Sequence, residues 1–179
     1  MSIEVEVRSF ITKEQYENLL ERMSTEGVEQ ENTSQVTTYF TGEHDLRIQK
    51  SDQSAKLILK AGVIHDRARE ELEVAISPVE YPKLQRILET IGFGVDITWY
   101  RTRHRFTWKD LTICLDDTRG YGYILEIEKM VEGESETQAA EKSLHALLKE
   151  LDIQLTPRSD FEKAFSEYQS HWRELTSTL

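Results

Sequence analysis

Carboxylates recur in this sequence as pairs two residues apart. Glu4 and Glu6 in IEVEVRSF, Glu71 and Glu73 in EELEV, and Glu126 and Glu128 in LEIEK all alternate with apolar residues. Basic residues follow the same spacing. Arg47 separates Leu46 from Ile48, Lys56 and Lys60 flank Leu57 and Leu59, and Arg101, Arg103 and Arg105 take alternate positions. Side chains on a strand point alternately to its two faces, so each segment carries one apolar and one ionic face. Two carboxylates on one face lie about 7 Å apart. Their repulsion is about 2 kcal/mol per pair at an effective dielectric of about 20. Water would screen that repulsion if the ionic faces look outward. Pairs that converge instead call for a counter-cation, and strands bearing only Arg and Lys call for an anion. Paired glutamates suit Mg²⁺ or Mn²⁺, hard cations that take oxygen ligands, while Arg forks suit phosphate oxygens. A closed barrel would meet both demands, with helices over its outer apolar faces and a metal-bound polyanion inside.

Period-two alternation marks about eight strands, at residues 3–10, 36–40, 45–50, 55–60, 67–76, 95–108, 111–117 and 121–130. Helix starts are marked by TKEQ (12–15), SPVE (77–80), SETQ (135–138) and SDFE (159–162), each ahead of apolar residues at helical spacing. Pro82 should delay the second helix by a turn. This is an α+β chain, and with 179 residues and no linker-like stretch it is expected to form a single domain over residues 1–179. Helical spacing of Phe161, Phe165, Tyr168 and Trp172 suits packing on a sheet wall, and also a plug at the mouth of a tunnel.

A net charge of −11 argues against nucleic-acid and anionic-membrane partners, since either needs a basic face. Basic residues cluster only locally, in RAR (67–69) and RTRHR (101–105). No apolar run reaches membrane-spanning length and the first residues read as a charged strand, so a cytoplasmic location is expected. The single cysteine, Cys114, sits in an alternating run and reads as a packing residue. The five histidines lack metal-ligand spacing, and no Ser or Cys nucleophile motif is present.

IEVEVR resembles the ExExK signature of the CYTH superfamily, the triphosphate tunnel metalloenzymes that include class IV adenylyl cyclases and thiamine, inorganic and RNA triphosphatases. The similarity continues in order through DLRI (45–48), KLILK (56–60), REELEV (69–74), RTR (101–103), ICLDD (113–117) and GYILEIE (122–128). It implies an eight-stranded antiparallel β-barrel, the triphosphate tunnel, with helices packed outside. By the same resemblance Glu4, Glu6 and Glu128, with Glu126 beside them, are metal-binding. Arg8, Arg47, Lys60, Arg69, Arg101 and Arg103 are triphosphate-binding, and Glu71, Glu73 and Asp116 are catalytic. Two positions depart from the pattern. Arg8 stands where the signature has lysine, trading a compact ammonium for a planar fork. Gln49 stands where many members have arginine, which removes one positive charge.

The expected function is a Mg²⁺- or Mn²⁺-dependent triphosphatase acting on tripolyphosphate, thiamine triphosphate or ATP. The alternatives are a class IV adenylyl cyclase and a triphosphate- or polyphosphate-binding module without turnover. A homodimer is compatible with this architecture, although nothing in the sequence marks an interface.

Overall fold

The structure is a computed structural model that describes residues 3–60 and 71–177. Its elements run β1 (Ile3–Ile11), α1 (Lys13–Glu26), β2 (Val28–Phe40), β3 (Asp45–Lys50), β4 (Ala55–Lys60), β5 (Glu71–Ile76), a 3₁₀ turn (Pro78–Glu80), α2 (Tyr81–Thr90), β6 (Val95–Trp108), β7 (Leu111–Thr118), β8 (Gly122–Val131), α3 (Glu134–Glu150) and α4 (Arg158–Thr176). The expected strand at 67–76 is described only from Glu71. Its first residues, with Arg69 and the RAR run, lie outside the described residues.

Local chemistry accounts for the first two helix starts, whereas α3 and α4 begin at Glu134 and Arg158, one residue ahead of the expected Ser135 and Ser159, and α3 has no side-chain cap at Gly133. Thr12 and Gln15 form a reciprocal capping box, in which the Gln15 amide donates to Thr12 Oγ1 at 3.1 Å and the Thr12 amide donates to Gln15 Oε1 at 2.9 Å. After Ser77 the chain makes one 3₁₀ turn before α2 begins at Tyr81, the delay that Pro82 predicts. β2 begins eight residues before the expected 36–40 strand. Residues 29–35 are all polar, so the sequence carries no apolar alternation there, although exposure alternates from Glu31 to Gln35.

The hydrogen-bonded strand order is β1-β8-β7-β6-β2-β3-β4-β5, and the paired registers are antiparallel. This corrects the expected closed barrel: among the described residues β1 and β5 end the order without pairing to each other, so the eight strands form an open sheet with helices outside. The outer edge of β1 has another partner. The Phe10 amide donates to Thr156 Oγ1 at 2.9 Å, and the Thr156 amide donates to Ser9 Oγ at 3.1 Å, so the segment after α3 covers that edge. β5 is an exposed edge, with Leu72 and Val74 more than half exposed. Alternating polarity identifies which face of a strand is ionic, but the same alternation serves a closed barrel and an open sheet.

The chain divides into two compact units. One holds the chain up to Asn32 and Thr102–Tyr168, and the other holds Thr33–Arg101 and the chain from Gln169 onward. In the first unit α1 and α3 cover the apolar face of β1, β8 and β7, burying Val7, Ile113, Leu115, Leu125 and Ile127 against Leu19, Met23, Leu144 and Leu148. The Phe161 ring of α4 stacks on Phe10, and Tyr168 is buried edge-on against Tyr121. That is the packing role, since Tyr168 is only 1% exposed. In the second unit α2 packs Tyr81 and Leu88 on Phe40 and Ile48. Among the described residues, no helix is long and apolar enough to cross a membrane.

Candidate metal and phosphate site

The strand registers of the first unit place its charged residues on the face opposite α1 and α3. Glu6 pairs with Glu128 and Arg8 with Glu126 between β1 and β8, while Thr112 and Cys114 of β7 pair with Glu128 and Glu126. Hydrophobic burial of Val5, Val7, Leu125 and Ile127 therefore obliges Glu4, Glu6, Arg8, Glu126 and Glu128 to share the other face. Carboxylate oxygens of Glu4, Glu6 and Glu128 come within 4.8 Å of one another. Three carboxylates at that spacing form an all-oxygen donor set that fits a hard divalent cation.

The electrostatics are those of an anion-rich centre. Glu6 keeps an open path to solvent, yet protein crowding strips hydration from its carboxyl and raises its pKa, and Glu126 and Glu4 push further the same way. Partial burial likewise raises Glu128, helped by Glu4, while Arg105 opposes the shift. Arg105 Nη2 lies 3.5 Å from Glu128 Oε2. Cys114 is wholly buried, and burial pushes its thiol up to about 11, so it remains a protonated packing residue.

A pH dependence follows with a definite sign. In the metal-free protein, Glu6 and Glu128 hold protons more tightly than the unfolded chain does, so their contribution to stability falls as pH rises above the unfolded value of about 4.5. A cation competes with those protons. Mn²⁺ is therefore expected to raise the Tm at pH 7 and to lose that effect as pH falls towards 4.5. Thermal melts with and without Mn²⁺ at the two pH values check this; an equal metal-induced shift at both would refute it.

Arg103 is the most enclosed cation of the face. Its Nε donates to Asp116 Oδ1 at 2.7 Å and its Nη2 to Asp116 Oδ2 at 2.6 Å, while Nη2 also donates to Glu126 Oε2 at 2.7 Å. Burial alone would lower the guanidinium pKa, but the Asp116 fork and then Glu126 reverse this and raise it. Glu126 is thus Arg103's partner and a neighbour of the carboxylate triad. Arg8 turns its guanidinium onto the Phe161 ring, 4.6 Å from its centroid, a geometry that the flat fork permits.

The remaining candidates lie in the second unit. Arg47 lies against Tyr39, donating from Nη1 to its hydroxyl at 2.7 Å, with Asp45 3.4 Å from Nε. Arg101 donates to Gln35 Oε1 at 2.8 Å. Lys60 stands in register with Asp45 and Glu71. Glu73 is paired with Lys56 at 2.6 Å, and Gln49 donates to Thr37 at 3.2 Å. Arg69 is outside the described residues.

Sequence reading left Arg105 undecided between site and surface, took Cys114 as a packing residue, and placed Phe161 on a sheet wall or at a tunnel mouth without a contact to Arg8. Continued period-two spacing places Arg105 beside Arg103 and Cys114 two residues before Asp116 on the same face. No local signal announces Phe161, because its contact with Arg8 joins residues far apart in the chain.

Comparison with known proteins bears on the fold and the family. A Methanocaldococcus jannaschii protein named "Putative adenylate cyclase" is 28% identical over 129 residues, covering 66% of this chain and 73% of that protein. A solved Pyrococcus horikoshii structure shares the fold, with a TM-score of 0.62 at 24% identity over 87% of this chain and 94% of the other. A Pyrococcus furiosus structure does so with a TM-score of 0.63 at 21% identity over 87% and 96%. The family model of the CYTH domain matches residues 2–159, a span that includes Glu4 and Glu6 on β1 as well as Glu128 on β8. Nearly the whole chain is thus accounted for by one family, and the chain belongs to the CYTH family, with its metal-associated phosphate chemistry.

Proposed function

We propose that this protein is a divalent-metal-dependent triphosphatase, hydrolysing an inorganic or organic triphosphate to orthophosphate and a diphosphate. The observation that carries the reading is the convergence of Glu4, Glu6 and Glu128 oxygens within 4.8 Å, on a face that also presents Arg8, Arg103 and Arg105. These three carboxylates would hold Mg²⁺ or Mn²⁺. Such an ion, when bound, neutralises charge on phosphate oxygens and orients them. Arg8 and Arg103 supply guanidinium donors to the same oxygens, holding the chain for in-line attack by water on the terminal phosphorus. By the family resemblance, Arg47, Lys60 and Arg101 of the second unit are proposed as triphosphate-binding residues. By the same resemblance Glu71 and Glu73 are proposed as catalytic residues, and Glu73 is an ion-pair partner of Lys56.

The second reading is adenylyl cyclase chemistry, in which a ribose hydroxyl attacks the α-phosphorus and pyrophosphate leaves. It is supported by the name of the Methanocaldococcus jannaschii relative. Phosphorus NMR with Mg²⁺ or Mn²⁺ and, separately, tripolyphosphate, thiamine triphosphate and ATP distinguishes the two. Orthophosphate with a diphosphate is the expected result. Pyrophosphate with cyclic AMP from ATP would replace hydrolysis by cyclisation. Binding without turnover would make the chain a triphosphate-binding module.

A further inference from the structure

Asp116 belongs to a residue type that could serve as a general base, yet its surroundings suit a different task. Its carboxyl is 2% exposed, and both oxygens accept hydrogen bonds from Arg103, at 2.7 Å and 2.6 Å. A base must reach a water molecule in contact with the substrate. Asp116 instead faces a guanidinium fork.

That fork leaves Arg103 with a particular remainder. Nε and Nη2 are committed to Asp116, and Nη2 also to Glu126, whereas Nη1 makes no hydrogen bond among the described residues and is not sealed from solvent. The positive charge of Arg103 also acts on Glu6 and Glu128, two of the converging carboxylates. A flexible cation could fold back onto those carboxylates, but a guanidinium clamped along one edge cannot.

We propose that Asp116 is a positioning residue: it clamps one edge of Arg103 so that the Nη1 amino group remains for a phosphate oxygen of the metal-bound triphosphate. Glu126 braces the same guanidinium from β8. The proposal rests on the triphosphate reading above and assigns Asp116 a role through Arg103, with no proton transfer of its own.

Calorimetric titration of tripolyphosphate in the presence of Mn²⁺ tests it without requiring turnover. One clamped hydrogen bond to a charged oxygen corresponds to about tenfold in affinity, so D116N and R103K should each bind about tenfold more weakly than wild type. Both act through one contact, so the double variant D116N/R103K should bind no more weakly than R103K. In turnover assays D116N should raise KM more than it lowers kcat and should keep the acid limb of the pH profile. Wild-type affinity in D116N, additive losses in the double variant, or a lost acid limb with unchanged KM would each overturn the proposal alone. Wild-type protein that binds no tripolyphosphate would overturn the functional reading and the proposal together. If D116N fails to fold, R103K carries the test: lysine can pair with Asp116 but has no second nitrogen for phosphate, so undiminished affinity in R103K overturns the proposal.

Discussion

Glu128→Gln is expected to abolish Mn²⁺ binding at concentrations that saturate the wild type, while the metal-free protein melts at the same temperature or slightly higher. Glu128 lies opposite Glu6 on one side and Thr112 on the other, at the centre of the ionic face. Glutamine keeps its shape but loses the charge, leaving two of the three converging carboxylates. Even changes in the groups around a metal's ligands cost roughly 10- to 100-fold, and loss of a ligand should reach at least the upper end of that range. The stability effect has the opposite sign. Burial and the neighbouring Glu4 and Glu126 carboxylates disfavour ionised Glu128, so neutralising it relieves the metal-free fold. Mn²⁺ paramagnetic resonance and thermal melts read the two effects separately. Unchanged Mn²⁺ affinity would remove Glu128 from the metal site.

Arg103→Met is expected to destabilise the fold by about 3–5 kcal/mol, the usual cost of breaking a buried ion pair by removing one partner. The reason lies in the groups left behind. Asp116 is 2% exposed and Glu126 17% at the side chain, and each would lose the guanidinium that satisfies it. For a chain of this size each kcal/mol corresponds to about 2–4 °C in Tm, so the melt should fall by roughly 10 °C. R103M/D116L should recover part of the loss, because it removes the stranded Asp116 charge and leaves only that of the more exposed Glu126. Denaturant unfolding of the two variants is the check. A double variant no more stable than R103M would show that the pair does not govern this part of the sheet.

These results bear on how far the residues alone could be read. Local rules were sufficient for several of the elements: the Thr12 to Gln15 capping box, the delay at Pro82 and the alternation in β1, β7 and β8 each arise from neighbours within a few residues, whereas the first half of β2 was not legible that way. Alternation also determined that Glu4, Glu6, Glu126 and Glu128 share an ionic face, because any register that buries Val7, Leu125 and Ile127 turns them the other way. The ordered motifs from IEVEVR to GYILEIE carried the family, since order along a chain is a property of sequence.

Tertiary structure decided the rest. Whether strand edges meet depends on sheet twist and on what competes for the edge, and here Thr156 Oγ1 accepts the hydrogen bond of the Phe10 amide and the Thr156 amide donates to the Ser9 hydroxyl on that side of β1. The pairing of Arg103 with Asp116 and Glu126 joins three strands, and the stacking of Arg8 on Phe161 joins the first strand to the last helix. Spacing shows that a cation and a carboxylate share a face. Which carboxylate a cation touches depends on register between strands and on side-chain direction, and both are set by packing between residues remote in sequence.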